Sequence, residues 1–154
     1  MKISTVNAFY QNQNNYSKHS NPSFGIHLGE HFKETIGFMS DRKSLSKKSK
    51  ELIKKIDNNH NFDDWILDIN NSGKYLTLFP TVALPYKKYL HASPVAEIHG
   101  ELMENALEEF LEASSAEEKI TLAKKDIASQ LKYIEEHGKQ HIDTKSFLDT
   151  LNAI

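Results

Sequence analysis

Two runs of strand-forming residues flank a polar turn in the middle of the chain, and this pattern constrains the fold more than any other. The runs are residues 65–69 (Trp-Ile-Leu-Asp-Ile) and 74–79 (Lys-Tyr-Leu-Thr-Leu-Phe), and the turn between them is Asn-Asn-Ser-Gly. Aromatic and β-branched residues favour strands, and a short polar segment with glycine between two such runs predicts a β-hairpin.

A third strand is expected at residues 81–89, although Pro80 and Pro85 confine it to a sheet edge or a loop because proline donates no hydrogen bond to a ladder. Residues 91–94 (His-Ala-Ser-Pro) indicate a further break, and helix is expected from Pro94 onward. These patterns predict a hairpin or a small three-stranded antiparallel sheet.

Helices are predicted before and after these strands in the sequence. Apolar residues at helical spacing predict a first helix within residues 27–39, and a second helix is expected to begin at Ser40 or Ser44 and to end near Ile56. Three more helices are predicted after residue 94, and we expect them to pack on one face of the sheet. The first of these helices is expected to end near Ala113. The second is expected to begin at Ser114 or Ser115, where Glu118 completes a capping box, and to end at Gly138. The third is expected to begin at Asp143 or Thr144.

The chain of 154 residues is therefore interpreted as α+β, with a central β-hairpin or small three-stranded antiparallel sheet, helices before it and a three-helix C-terminal half. Residues 26–154 are predicted to form a single domain. Residues 1–25 are a leader rich in Asn, Gln and Ser, which has too few apolar side chains to offset its ordering entropy and is predicted to be disordered. The predicted core comprises Trp65, Leu67, Ile69, Leu76, Leu78, Phe110, Ile127, Leu131 and Phe147.

Composition excludes several classes of protein. The chain has no cysteine, which excludes a disulfide framework, a thiolate zinc site, an iron–sulfur cluster and a cysteine nucleophile. No run approaches the roughly 18 apolar residues that span a bilayer, and the first residues lack the apolar core of a secretory signal peptide. We expect a soluble, cytoplasmic protein, with Sec-independent export left open. Neither a glycine-rich phosphate loop nor a Gly-x-Ser-x-Gly elbow is present, so no cofactor is expected.

Charge is segregated along the chain, although the net charge is only -2. Residues 41–57 carry seven basic and three acidic side chains, whereas residues 97–118 carry eight glutamates and no lysine or arginine. One interpretation is that two solvated helix faces attract each other across the fold. The alternative is a pair of patches for partners of opposite charge.

The candidate partner-binding residues are Lys47 and Lys48 in the basic segment and Tyr86, Lys87, Lys88 and Tyr89 farther along. The latter four interleave cations with aromatic rings, as single-strand nucleic-acid binders do. Arginine is the usual residue for bidentate recognition of phosphates and bases, and the chain contains a single one, Arg42. We therefore expect another protein as the partner and consider nucleic-acid binding the weaker alternative.

Histidine spacing suggests a second alternative. His27 and His31 are four residues apart, as are His137 and His141, and on a continuous helix such a pair shares one face and can bind zinc. No metal site is predicted outright; His27 and His31 are the candidates, and a third ligand near them would indicate a small metal-dependent hydrolase. Residues 57–68 also partly resemble an EF-hand loop, but Phe62 replaces the required glycine and the final bidentate glutamate is missing, so we interpret the segment as a polar turn.

These observations favour a non-enzymatic protein-interaction or adaptor module. The reasons are the lack of any catalytic motif, the segregated charge and the polar leader.

Overall fold

The computed structural model describes residues 26–99, 103–112, 116–138 and 142–154, so the predicted leader lies outside it. Within these ranges the chain is α+β, as predicted, with helices before the hairpin and three helices after it. The strands are β1 (His27–Leu28), β2 (Trp65–Ile69), β3 (Tyr75–Pro80) and β4 (Ser93–Glu97). The α-helices are α1 (Glu30–Asp41), α2 (Lys47–Asp57), α3 (Met103–Glu112), α4 (Ala116–His137) and α5 (Thr144–Ala153). Short 3-10 helices span His60–Phe62 and Thr81–Tyr86.

The four strands of the described chain form one mixed sheet in the order β1-β2-β3-β4. β1 runs parallel to β2, and α1 and α2 lie in the connection between them, since a parallel pair requires a long crossover. β2 and β3 pair antiparallel from Trp65 opposite Pro80 to Ile69 opposite Leu76. The predicted hairpin is therefore confirmed.

The hairpin turn is closed by Asn70 and Gly73. The Asn70 side-chain oxygen accepts hydrogen bonds from the backbone N–H groups of Lys74 (2.9 Å) and Tyr75 (3.0 Å). The Gly73 N–H donates to the Asn70 carbonyl oxygen at 2.9 Å, and Gly73 has a φ of +71°, a conformation that side chains with a Cβ rarely adopt.

The third antiparallel strand is β4, not the predicted segment 81–89. β4 pairs with β3, with a register irregularity beside Leu76 and Thr77. Residues 81–86 instead form a 3-10 helix, because Pro80 and Pro85 have fixed φ angles and no N–H group for a ladder. Helix from Pro94 onward was also wrong: Pro94 lies in β4, an edge strand, where a missing donor is tolerated.

The start of α2 also differs from the expected positions. Ser40 lies inside α1, and the Ser44 hydroxyl donates to the Met39 carbonyl oxygen near the end of α1. The N-cap is Ser46, whose extended backbone (ψ 155°) precedes the helix and whose side chain accepts from the Ser49 N–H at 3.0 Å.

The C-terminal helices follow the predicted boundaries where these are described. α4 ends at His137, and the Gly138 N–H donates to the Ile134 carbonyl oxygen. The Asp143 side chain caps α5 by accepting from the Ser146 N–H at 3.1 Å. The expected boundaries at Ala113, Ser114 and Ser115 lie outside the described residues.

The core lies where the sheet meets the helices. α3 and α4 contact β4, α4 also contacts β3, and α5 contacts α4 and the 81–86 segment. The buried Phe62 and Phe110 rings contact each other in a tilted arrangement, with centroids 5.0 Å apart. All nine predicted core residues are buried: Trp65, Leu67, Ile69, Leu76, Leu78, Phe110, Ile127, Leu131 and Phe147.

Candidate functional site

The junction between β1 and α1 is built around a side chain from β2. Gly29 is the N-cap of α1 and has no side chain to accept a hydrogen bond. Asp68 does this instead: its Oδ1 accepts from the Phe32 N–H at 2.8 Å and from the Ile69 N–H at 2.9 Å. A Cβ at residue 29 would lie 2.1 Å from the Asp68 Cγ, so only glycine fits there.

This junction occupies the place where α/β proteins commonly bind anions, at the carboxyl end of a parallel strand and the N-terminus of the following helix. Here the Asp68 carboxylate already satisfies that terminus. Lys33, half-buried beside it, has its pKa lowered by burial, while the charges of Asp68 and Glu30 raise it. The junction therefore stabilises the fold rather than offering an open anion site.

The two candidate metal-binding histidines lie on different elements. His27 is in β1, and His31 is in the first turn of α1, with its Nδ1 3.3 Å from the Ile69 carbonyl oxygen. Burial lowers the pKa of His27. A hydrogen bond with the backbone of Asp63 and the nearby charges of Asp63 and Asp64 raise it, but their effect is smaller. The i,i+4 spacing therefore does not place both rings on one helix face.

No third ligand for such a pair is found among the described residues. Among the described residues, no group of three or more His, Asp or Glu side chains could hold a metal ion. His137 is exposed at the end of α4, where its ring stacks on Tyr133 with centroids 4.6 Å apart, and His141 lies outside the described residues.

Residues 57–68, which partly resemble an EF-hand, comprise the last residue of α2, the 3-10 helix His60–Phe62 and most of β2, so the expected polar turn is confined to the residues between α2 and β2. Asp57 is the last residue of α2, and the Asn59 side chain accepts from the Asn61 N–H at 3.1 Å. Phe62 is buried, and Asp68 faces the N-terminus of α1. The Asn59 oxygen thus serves a local turn, and the Asp68 carboxylate caps α1.

The basic and acidic segments meet where α2 packs on α3. Lys48 forms an ion pair with Glu108 and lies 3.9 Å from Glu104. The Ser46 hydroxyl donates to Glu104 at 3.2 Å, so the N-terminus of α2 is tied to α3. This contact agrees with the interpretation that the two charged segments attract each other. Lys47, the neighbouring candidate, is exposed.

The other candidates form a turn at residues 84–89. The Tyr86 ring packs edge-on against Phe147 of α5, with centroids 5.5 Å apart. Backbone hydrogen bonds from Lys87 to Leu84 and from Tyr89 to Tyr86 hold the turn. Lys88 lies over the Tyr89 ring, with its Nζ 4.9 Å from the centroid.

The six candidates therefore lie on two different parts of the fold. Lys47 and Lys48 are on α2, which packs on α3, whereas Tyr86 and the residues after it lie on a segment that contacts α5 and β3. Lys48 and Tyr86 make internal contacts, and all four lysines of the set, Lys47, Lys48, Lys87 and Lys88, are exposed.

Sequence reasoning missed two polar contacts, one buried and one exposed. Lys119, 7% exposed, donates from its Nζ to the Val95 carbonyl oxygen of β4 at 2.7 Å. The Gln130 side chain forms two hydrogen bonds with the backbone of His91, accepting from its N–H at 2.7 Å and donating to its carbonyl oxygen at 2.9 Å. Only Lys119 left a signal, since it precedes Ala123 by one helical repeat on the buried side of α4.

The chain matches no protein-family model, no curated protein and no solved structure. In the part of the chain that the structure describes, none of the helices combines the length and apolar character needed to cross a membrane.

Proposed function

We propose that the protein is a non-enzymatic protein-interaction module and that the turn at residues 84–89 is its contact surface. The observation that carries this proposal is an exposed apolar pair, Leu84 and Pro85, followed by two exposed lysines on a turn that is anchored from beneath by Tyr86. A contact surface that is already rigid loses less conformational entropy on binding.

Other exposed apolar side chains are less suited to this role. Phe38 is covered on one face by the Arg42 guanidinium, 4.5 Å from the ring centroid. Tyr133 stacks on His137, and Leu122 stands among polar neighbours on α4. Scattered single hydrophobic residues are normal on a protein surface and need no partner.

The chemistry of the turn favours a partner with an apolar pocket and an acidic rim. Leu84, which is 36% exposed, would enter the pocket, and Lys87 and Lys88 would face carboxylates. Six residues are far fewer than the roughly 20–30 per side of a standard interface, so the turn suits a short-lived complex.

The test is site-specific photocrosslinking in cells that produce the protein. A photoreactive amino acid at residue 84 should give a discrete protein adduct, and the same amino acid at Lys132, an exposed position on α4, should not. Adding Lys87→Glu and Lys88→Glu should remove the adduct while the melting temperature stays unchanged. No adduct at residue 84, or the same adduct at both positions, would overturn the proposal.

A further inference from the structure

We infer that the outward face of α2 is a second interaction surface, which binds an acidic α-helical segment of another protein. The surface consists of Lys47, Lys50 and Lys54 and is called the basic stripe below. It lies on a different element from the turn at residues 84–89, and the two proposals are independent.

The basic stripe follows from the periodicity of α2. Ser49, Leu52 and Ile56 are buried, and the three stripe lysines are all exposed. At 3.6 residues per turn and about 1.5 Å per residue, positions 47, 50 and 54 lie on one face and span about 10 Å. The stripe therefore presents three ammonium groups in a row along two helical turns.

No ion pair within the described part of the chain neutralises these charges. Lys48, on the flank of α2, is paired with glutamates of α3, but within the described ranges none of the stripe lysines forms an ion pair. Glu51 is exposed beside them and offsets one charge. The stripe remains net positive.

The position of Lys47 is also electrostatically unfavourable within α2. It is the first residue of α2, whose first turn contains no acidic side chain, and a cation is unfavourable near the positive end of the helix dipole. Lys48 at the next position gains an internal partner that compensates for this placement, whereas Lys47 forms no ion pair with any described residue. A residue that breaks a local rule without an internal compensation is a candidate for function.

The chain itself shows what kind of partner fits α2. Glu104 and Glu108, four residues apart on α3, approach Lys48 from one side. A helix with carboxylates at i, i+3 and i+7 would match the stripe in the same manner, because residues at this spacing share a face.

Two other anionic partners fit less well. Nucleic-acid recognition favours arginine and stacked aromatic rings, and α2 contains neither. A membrane surface requires an apolar face to insert, but Leu52 and Ile56 are buried in the core. Both partners remain arms of the test.

The test is fluorescence anisotropy with the full chain and a labelled, end-capped helical peptide that has glutamates at i, i+3 and i+7. The comparison probes are a peptide of the same composition with its glutamates distributed around the helix, a single-stranded oligonucleotide, and vesicles containing phosphatidylserine. The variants are Lys47→Glu/Lys50→Glu/Lys54→Glu and a matched control with the same charge change, Lys125→Glu/Lys132→Glu/Lys145→Glu, at exposed positions of α4 and α5.

We expect the one-faced peptide to bind and the stripe variant to lose affinity by at least about tenfold, since three exposed ion pairs are lost and replaced by repulsion. The control variant should lose less than about threefold. The stripe variant should keep or raise its melting temperature, because Lys47→Glu suits the helix dipole.

Three results would overturn the inference. One is no binding of the one-faced peptide at low salt, and another is an equal loss in the two triple variants, which would indicate a response to net charge alone. The third is tighter binding of the oligonucleotide or the vesicles than of the peptide, which would assign the stripe to that partner instead.

Discussion

Replacing Asp68 tests the junction between β1, α1 and β2. Asp68→Ala removes the acceptor of two backbone N–H groups, Phe32 at 2.8 Å and Ile69 at 2.9 Å. Loss of a helix N-cap costs about 1 kcal/mol, and loss of a second hydrogen bond to a charged group costs about as much or more. We expect the free energy of unfolding to fall by about 2–3 kcal/mol and the melting temperature by about 5–10 °C.

Two further variants separate charge from geometry. Asp68→Asn keeps an oxygen for the same N–H groups but removes the negative charge at the N-terminus of α1, so it should cost only about 0.5–1 kcal/mol. Asp149→Ala, at an exposed position of α5, is the matched control and should stay within about 0.5 kcal/mol of the unmodified protein.

The assay is urea unfolding followed by circular dichroism, with hydrogen exchange of the Phe32 amide as a local probe. The Phe32 amide should exchange faster in Asp68→Ala than in Asp149→Ala. If Asp68→Ala and the control have the same unfolding free energy, Asp68 does not cap α1 and the reasoning is refuted.

Three other perturbations follow from named contacts. Burial lowers the pKa of His27 below its ordinary value of 6.5. The neutral imidazole therefore contributes stability above pH 6.5, and this contribution is lost as the pH falls toward the folded-state pKa. In urea unfolding, His27→Gln should flatten the dependence of the unfolding free energy on pH between about pH 7.5 and 5. Gln130→Ala removes both hydrogen bonds to the His91 backbone, so the His91 amide should exchange its hydrogen faster, as measured by mass spectrometry. An unchanged exchange rate would contradict the contact. Lys119→Ala leaves the Val95 carbonyl oxygen without its buried donor and should lower the unfolding free energy by about 1–3 kcal/mol. A loss of less than about 0.5 kcal/mol in chemical denaturation would contradict this prediction.

Features with neighbouring determinants could be predicted from the sequence. The hairpin depends on two adjacent strand-forming runs and on Asn70 and Gly73 between them. The end of α4 at Gly138 and the cap of α5 at Asp143 likewise depend on residues within one helical turn. Such signals act locally, so no knowledge of the rest of the fold was needed.

The misassigned elements depend on distant partners. β1 has only two residues, too few for a periodic pattern, and it forms by pairing with β2 across the long α1–α2 crossover. β4 contains Pro94 and lies next to a helical region in sequence, yet pairing with β3 makes it a strand. Long-range pairing can override local propensity because propensities differ by only about 1 kcal/mol.

The candidate site could be predicted only in part from the sequence. Charge segregation is visible in the sequence, and Lys48 of the basic segment forms an ion pair with Glu108 of the acidic one. The division of the six candidates between α2 and the turn at residues 84–89 was not visible, because it depends on where the core places each element.

The hairpin, several helix ends and nine of the buried core residues could thus be predicted from residues close to one another along the chain. The tertiary structure decided strand pairing across the crossover, the capping of α1 by Asp68 and the burial of Lys119 against β4. Asp68 lies 36 positions from Phe32, from whose N–H it accepts a hydrogen bond, and Lys119 lies 24 positions from Val95, to which it donates. The physical reason is that such distant groups meet only when the collapse of the whole chain compensates the entropy of closing the long loops between them.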